Sequence, residues 1–255
     1  MTGLPPGTIL QLMYLRERIK SFSPNKRFLD IGSGNGMLTS LLLSCGMTGV
    51  AIDLNQSACE NNRIKNKKAI IDSKLNVIHQ DLLQFPDDEK FDVICASMVI
   101  EHLPENILTT FIEKCKSLLK PQGKIIFLVP GSMKYWGIED EIAGHVLRYE
   151  SKDIQSLANR FNLQLVHEVG LTYPISNWLF WLSNRIIKKN ESEKLNLSEL
   201  ERTIYTGNRN VSYKTTFPRA FNIILNSVSL FPLYLLQKVF LKSPNCMIKY
   251  MELTK

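Results

Sequence analysis

The amino-acid sequence predicts an α/β fold with a mostly parallel, doubly wound sheet, and three observations support this prediction. Apolar runs of strand length alternate with segments of helical periodicity, which is typical of β-α-β units. The glycine-rich turn Gly32-Ser33-Gly34-Asn35-Gly36 stands between the first strand and the first core helix. Polar residues follow the ends of four strands, where ligands bind in sheets of this class.

The strands and helices are predicted in a regular order along the chain. A short amphipathic helix lies within residues 1–26. The sheet is predicted from seven runs bounded by turn residues: Arg27–Ile31, Gly49–Leu54, Leu75–His79, Phe91–Ser97, Lys124–Pro130, Leu163–Val169 and Met247–Leu253. The helices between them are predicted at Met37–Cys45, from an N-cap at Ser57 to about Lys68, at Pro104–Leu119, and from an N-cap at Ser151 to about Arg160.

The segment before the last strand differs from the rest of the chain in composition. Ile175–Lys189 and Ala220–Leu241 are apolar, and we expect two helices that pack over the mouth of the site. The second segment also carries several polar residues, which is unusual for a membrane-spanning helix. We therefore expect four parts: an N-terminal helix lid over residues 1–26, a core over 27–170, a helical basic cap over 171–245, and a final strand over 246–255 that returns to the sheet.

The net charge of +7 lies entirely in the last third of the chain. Residues 1–170 hold 19 Lys and Arg against 19 Asp and Glu, whereas residues 171–255 hold 12 against 5. This basic excess predicts either a solvated surface or a face that contacts phosphates of a lipid or of an acidic substrate.

The five cysteines form no C-x-x-C pair and the four histidines lack metal-ligand spacing. We therefore expect a cytoplasmic protein without a bound metal, with a peripheral contact at the membrane as a second possibility.

The glycine spacing indicates the class of ligand that the turn binds. Gly32, Gly34 and Gly36 form a G-x-G-x-G pattern, whereas dinucleotide-binding proteins use G-x-G-x-x-G, so a dehydrogenase is disfavoured. Asp30 precedes the first glycine by two residues and would repel a pyrophosphate but attract a cation. Asp53 ends the second strand, where a carboxylate can accept hydrogen bonds from the hydroxyls of a ribose. These residues predict a site for a cationic, nucleoside-containing cofactor, the alternative being a turn that only connects strand to helix.

Several segments resemble motifs of the class I S-adenosylmethionine-dependent methyltransferases. The pattern from Asp30 to Gly36 resembles their first motif, and His79-Gln80-Asp81-Leu82 resembles their adenine-binding loop. The run Phe91–Leu103, which ends in Glu-His-Leu, resembles the small-molecule form of their fourth motif. Gly144-His145-Val146-Leu147-Arg148-Tyr149 resembles a segment of a bacterial subgroup near the ubiquinone-biosynthesis methyltransferases. The resemblance implies a seven-stranded Rossmann-like methyltransferase sheet that binds S-adenosylmethionine through Asp30, Gly32, Ser33, Gly34, Gly36, Asp53, Leu54, Asp81, Leu82 and Ser97.

The same resemblance implies methyl transfer to a small molecule, and we expect the acceptor to be a hydroxyl of an amphipathic or phosphate-bearing metabolite. An oxygen nucleophile must lose its proton, and a histidine can accept it near neutral pH. The candidate bases are His102 and His145, and the residues expected to contact the substrate are Arg148, Tyr149 and Trp178. The structural alternatives are a backbone-bonding role for His102, packing of His145 on Tyr149, a pair between Arg148 and Glu101, and burial of Trp178 with Trp181 in the core.

Two other functions stay open at the level of sequence. An RNA methyltransferase would use the basic C-terminal segment, in particular Arg202, Tyr205, Arg209, Tyr213 and Lys214. Nucleic acid is nevertheless the less favoured partner, because the Glu-His-Leu motif differs from the N-P-P-Y form associated with methylation of amino groups in nucleic acids. A non-catalytic nucleoside-binding module is the second alternative. The sequence leaves the oligomeric state undetermined.

Overall fold

The strands form one seven-stranded sheet in the computed structural model, which describes residues 3–21, 25–191 and 217–255. In chain order the strands are β1 Arg27–Ile31, β2 Thr48–Asp53, β3 Leu75–His79, β4 Phe91–Ser97, β5 Leu119–Pro130, β6 Gln164–Leu171 and β7 Ile248–Thr254. Their order across the sheet is β3-β2-β1-β4-β5-β7-β6. All neighbours are parallel except the two pairs made by β7, which is inserted antiparallel between β5 and β6. The predicted doubly wound, mostly parallel sheet is confirmed.

Helices connect the strands and cover both faces of the sheet. The helices of the described ranges are α1 Pro6–Lys20, α2 Met37–Ser44, α3 Gln56–Lys65, α4 Lys67–Ile71, α5 Glu105–Leu118, α6 Ile138–Ala143, α7 Ser151–Arg160, α8 Ile175–Trp178, α9 Phe180–Glu191 and α10 Phe231–Val239. Short 3-10 turns occur at Leu82–Gln84, Ile100–His102, Met133–Tyr135 and Arg219–Ile223.

The structure corrects predicted boundaries of two helices. The helix expected to be capped by Ser57 begins at Gln56, because the side-chain oxygen of Asn55 accepts the N–H of Ala58 at 3.2 Å. This helix ends at Lys65, and α4 is a separate short helix. The N-cap of α7 is Glu150 rather than Ser151, since the Asp153 carboxylate accepts the Glu150 N–H at 2.9 Å.

The predicted start of β5 is also corrected. This strand begins at Leu119, five residues before the predicted Lys124, so the expected turn Pro121-Gln122-Gly123 lies within it. The pairing with β4 shifts between Phe91 and Val93, and Gln122 has a φ of 61°. An irregular stretch of this kind keeps a strand paired at both ends while turn-forming residues lie between them.

The core has one layer on each face of the sheet. Neighbouring residues of β1 point to opposite layers, as the alternation of a strand requires: Leu29 packs in one cluster and Phe28 in the other. The first cluster includes buried residues of α5 and α7, such as Ile112 and Ile154. The second includes residues of α1, α2 and α10, such as Leu10, Leu42 and Tyr234. In parallel sheets, ligands bind at the carboxyl ends of the strands, between these two layers.

The segment between β6 and β7 is helical in its described parts. Helix α10 packs beside α1, and the buried Gln237 joins the two: its side chain donates to the Leu10 carbonyl and accepts the Thr172 N–H. No helix within the described ranges is long and apolar enough to cross a membrane. The residues named above for RNA binding, between Arg202 and Lys214, lie outside the described part of the chain.

Candidate active site

The glycine turn adopts a conformation that exposes its backbone. Gly32, Gly34 and Gly36 have φ angles of 64°, 51° and 75°, a region that side chains other than glycine rarely occupy. A Cβ atom added to Gly32 or Gly36 would collide with Val99 or with Asn62, whereas one added to Gly34 would meet no atom within 4 Å. Gly34 therefore faces open space at the N-terminal end of α2, which is where a ligand can approach the backbone.

A buried polar cluster supports the turn from below. The Thr39 hydroxyl donates to Asp30 at 2.6 Å, and the Asn62 amide donates to the hydroxyl oxygens of Thr39 and Ser33, both at 3.1 Å. Asp30 is only 1% exposed, so it does not offer the free carboxylate that the sequence predicted for a cationic ligand. Burial raises the pKa of Asp30 to about 7, with a smaller contribution from the negative charge of Asp53. Asp30 therefore supports the turn from below, through its bond to Thr39.

Asp53, the predicted ribose-binding acid, lies at the end of β2 and contacts the glycine turn. One carboxylate oxygen accepts the Gly34 N–H and the other accepts the Asn55 N–H, each at 2.8 Å. The residue is half-buried. Asp53 thus connects the end of β2 to the glycine turn.

The other predicted cofactor residues surround this point. The end of β3 adjoins the end of β2, because the Gln80 N–H donates to the Asp53 carbonyl at 3.1 Å. Asp81 follows and accepts the Leu83 N–H at 3.0 Å, so its side chain also shapes the loop. Leu54 is exposed, Leu82 is buried, and Ser97 is half-buried at the end of β4, next to the turn. The structure therefore brings Asp53, Asp81 and Ser97 to one edge of the sheet.

The two candidate bases meet beside this edge. The ring centroids of His102 and His145 are 4.7 Å apart, in an edge-to-face arrangement. Burial lowers the pKa of His102 to about 4, with a further contribution from His145. His145 instead has a carboxylate partner, because its Nδ1 lies 2.8 Å from Oδ1 of Asp140. His145 therefore contacts His102 and Asp140, whereas one sequence-based alternative had it pack on Tyr149.

Asp140 is a site residue that the sequence analysis missed. It is fully buried at the N-terminal part of α6, where it also accepts the Gly137 N–H at 2.8 Å. Burial would raise the pKa of Asp140, but the hydrogen bonds from His145 and Arg148 hold it below its usual range. The only local sequence signal is an acidic residue five positions before the histidine, which is too common a pattern to be specific.

Arg148 and Tyr149, which the sequence predicted to contact the substrate, are both buried among protein groups. Arg148 is buried and donates twice to the Asp140 carboxylate, at 2.8 and 3.0 Å, and once to the Gly131 carbonyl at 3.0 Å. Its partner is thus Asp140, not Glu101 or a substrate anion. Tyr149 is also buried and its hydroxyl points to the Ile100 carbonyl. The sequence left the pairing of Arg148 open, because sequence reasoning cannot tell a buried ion pair from an exposed cation.

Glu101 completes the polar group around the histidines. Both of its carboxylate oxygens are buried without a hydrogen-bond partner in the described structure, and burial raises its pKa to about 8. One oxygen lies 4.0 Å from Nε2 of His145. Ligand atoms of Glu101, His102 and His145 all lie within 4.8 Å of one another, so these three side chains could hold a metal ion. The sequence had shown no such spacing, because the fold joins residues from two distant segments.

An aromatic groove of about 600 Å³ lies next to α6. Its walls are the 3-10 turn that follows β5 and helices α8 and α9, with Lys134, Tyr135, Trp136, Tyr173, Pro174, Asn177, Trp178, Phe180, Trp181 and Asn184 as lining residues. The Tyr135 and Phe180 rings contact each other at 5.4 Å. Trp178 and Trp181 are mostly exposed, so neither belongs to the core. The groove wall continues directly into α6, which carries Asp140.

The fold and this site define a class I S-adenosylmethionine-dependent methyltransferase. A family model described as a methyltransferase domain matches residues 10–168, more than half of the sequence, and the chain belongs to this family. The protein is therefore an enzyme of the transferase class with S-adenosylmethionine as its cofactor.

Relatives and solved structures place the chain within this class. The ubiquinone biosynthesis O-methyltransferase of Histophilus somni is 25% identical over 69% of this chain and 80% of its own length. Sphingolipid C9-methyltransferase 1 of Gibberella zeae is 27% identical over 64% of this chain and 35% of its own length. The crystal structure of magnesium protoporphyrin IX methyltransferase from Synechocystis has a TM-score of 0.55 at 16% identity, covering 65% of this chain and 78% of that chain, and this likeness shows the shared fold.

Proposed function

We propose that this enzyme methylates a hydroxyl group of an amphipathic small molecule and that His145 removes the proton. The hydrogen bond between His145 and Asp140 carries this proposal, because it orients the imidazole as a base. The O-methyltransferase activity in the name of the Histophilus somni relative supports an oxygen acceptor. The aromatic groove beside α6 supports an acceptor with an apolar part.

The residues of the cleft fit S-adenosylmethionine. Gly34 has an open side for a ligand, Asp53 has carboxylate oxygens toward the same region, and Asp81 and Ser97 adjoin it. When bound, the cofactor supplies a methyl group on a cationic sulfur, and displacement at that carbon removes the positive charge. The chain then has to position the reactants, exclude water and accept the acceptor's proton.

The proton is best accepted at Nε2 of His145. If Nδ1–H donates to Asp140, the other nitrogen has a free lone pair, and the negative charge of Asp140 stabilises the imidazolium that forms. Arg148 holds Asp140 through two further bonds, so the base keeps one orientation. His102 is a weaker base because its pKa is about 4, and its ring packs against His145 as a wall.

The acceptor's apolar part is assigned to the aromatic groove. Tyr135, Trp136 and Phe180 offer flat apolar surfaces, and Lys134 supplies a cation at the rim. Aromatic side chains bind such surfaces with little loss of conformational entropy. An acceptor with an aromatic hydroxyl and an alkyl chain would fill the groove and leave its hydroxyl toward α6.

Binding and turnover test the two halves of this proposal separately. Calorimetric titration with S-adenosylmethionine should give a dissociation constant in the micromolar range, and no binding at about 1 mM would contradict the cofactor assignment.

Transfer of a labelled methyl group to catechol and to dodecylcatechol should favour the alkylated compound through a lower KM. Trp181→Ala should remove that preference, whereas Ile64→Ala, an equally exposed apolar residue on α3, should preserve it.

The same assay distinguishes a base from a metal site. If His145 is the base, chelation of divalent ions should leave the turnover of the wild-type enzyme unchanged. Loss of turnover on chelation, restored by added Mg²⁺, would contradict the base assignment and assign Glu101, His102 and His145 to a cation instead.

A further inference from the structure

Helix α10 is apolar on two opposite sides. Its inner side, with Leu230, Tyr234 and Gln237, is buried against the core. Its outer side carries Phe231, Leu235 and Val239, all exposed and spaced four residues apart. A helix at the surface of a soluble domain normally has a polar outer side, so this stripe predicts contact with something other than water.

A second exposed apolar group lies on α8 and α9. Trp178, Trp181 and Leu182 project into solvent, and Trp181 is 78% exposed. The same helix continues with exposed basic residues, Arg185, Lys188 and Lys189. Tyr173 links this group to α10, because it lines the groove with Trp178 and its ring contacts that of Phe240 at 5.4 Å.

The charge of these segments is mainly positive, with Glu191 at the end of α9 as the acidic residue next to them. Residues 171–190 contain three basic residues, residues 217–247 contain three more, and neither range contains an Asp or a Glu. Of the six, Lys238 bonds Glu17 of α1, while Arg185, Lys188, Lys189, Arg219 and Lys242 are exposed. An apolar surface with tryptophans and an excess of Lys and Arg matches the boundary region of an anionic bilayer.

We propose that these two groups, the outer stripe of α10 and the tryptophan end of α8–α9, form a surface that docks on an anionic lipid bilayer. The apolar side chains would enter the boundary between headgroups and acyl chains, and the basic side chains would contact lipid phosphates. Since Trp178 and Trp181 also line the groove, docking places the groove's rim at the lipid surface. This inference concerns membrane contact alone and holds whether or not the proposed acceptor is correct.

Vesicle flotation of the full chain, without cofactor or acceptor, tests the apolar part. The protein should float with phosphatidylcholine vesicles enriched in phosphatidylserine and much less with phosphatidylcholine alone. Leu235→Gln/Val239→Gln should lower the partition coefficient about tenfold, because it removes exposed apolar area without a helix-breaking residue. The matched control is Ile64→Gln/Ile71→Gln, which removes similarly exposed side chains, 75% and 70%, from α3 and α4 and should float like the wild type.

A second pair of variants tests the electrostatic part. Lys188→Gln/Lys189→Gln should weaken binding to the anionic vesicles about tenfold or more, since each basic residue near the surface contributes about 1 kcal/mol. Lys67→Gln/Lys68→Gln removes two exposed lysines from α4 and should have no comparable effect. Added salt should reduce wild-type binding, because exposed charges are screened.

Three results would overturn the proposal. The first is a wild-type protein that does not float with anionic vesicles, and the second is flotation of both pairs of variants like their controls. The third is a wild-type dimer in sedimentation equilibrium that Leu235→Gln/Val239→Gln dissociates, with no vesicle binding by either protein. That last result would assign the surface to an interface between copies of this chain.

Discussion

Nδ1 of His145 lies 2.8 Å from Oδ1 of Asp140, and this contact organises the candidate catalytic group. Asp140 is buried and also bonded twice by Arg148, so the imidazole is held by a fixed carboxylate rather than by solvent. Carboxylate–histidine pairs of this kind set the tautomer and orientation of a base. All three residues lie within residues 140–148, in α6 and the loop that follows it. One local segment therefore supplies the proposed base, its carboxylate partner and the cation that holds that partner.

The first prediction separates the two histidines. His145→Ala should lower kcat about 100-fold or more while the dissociation constant of S-adenosylmethionine stays nearly unchanged, because the base acts on the acceptor and not on the cofactor. His102→Ala should have a smaller effect, since a group with a pKa of about 4 is a poor base at neutral pH. Steady-state kinetics and calorimetry measure both quantities. His167→Ala on β6, whose ring bonds Tyr14, is the control, and equal losses for all three variants would contradict the assignment.

The second prediction concerns the buried ion pair. Asp140→Ala should lower the free energy of unfolding by about 3–5 kcal/mol, because it leaves the buried Arg148 guanidinium without its carboxylate. Asp140→Leu/Arg148→Met should recover much of that stability in urea unfolding, since no unpaired charge remains. Turnover of the double variant should stay low, because His145 has no carboxylate partner. Recovery of both stability and turnover would show that Asp140 has only a structural role.

The third prediction tests Asp53 at the glycine turn. Asp53→Ala should weaken S-adenosylmethionine binding at least about tenfold, because it removes an acceptor for the cofactor and the bond that holds the Gly34 N–H. Calorimetric titration measures the change. Asp72→Ala replaces an exposed acid at the end of α4 and should bind like the wild type. A loss of less than about threefold for Asp53→Ala would mean that the ribose lies elsewhere.

The fourth prediction is a dependence of stability on pH through Glu252 of β7. This buried carboxylate bonds Arg18, Lys124 and Tyr250; burial opposes its ionised form, but these bonds lower its pKa to about 2. Its folded pKa is below its unfolded value, so the contribution is present above about pH 5 and is lost as the pH falls toward 2. We expect this contribution to be on the order of 2 kcal/mol.

Urea unfolding between pH 7 and pH 3 measures this dependence. Glu252→Gln should be less stable than the wild type at pH 7 and should lose less stability on acidification. Glu60→Gln, at an exposed position on α3, should follow the wild-type curve. Parallel curves for Glu252→Gln and the wild type would show that another carboxylate dominates the acid range.

Local sequence patterns were sufficient to predict the strands of the sheet and the glycine turn with its acidic partner. The apolar runs predicted the strand bounds to within two residues except at the start of β5, which was five residues off. The spacing of Gly32, Gly34, Gly36 and Asp53 located the turn and its acidic partner. These features depend on backbone conformation and on strand ends, which short stretches of sequence encode directly. The boundary errors at Ser57 and Ser151 arose where a neighbouring residue capped the helix instead.

The sequence by itself determined the class of fold, the glycine turn and the positions of the acids at the strand ends. Only the tertiary structure decided that Asp30 lies beneath the turn, that Arg148 pairs with Asp140, and that His102 meets His145. His102 and His145 are more than forty positions apart, whereas Arg148 is only eight positions from Asp140, yet in both cases the burial of the pair depends on how the surrounding helices and loops pack. No local pattern encodes such distances, because they are set by how helices and loops pack across the edge of the sheet.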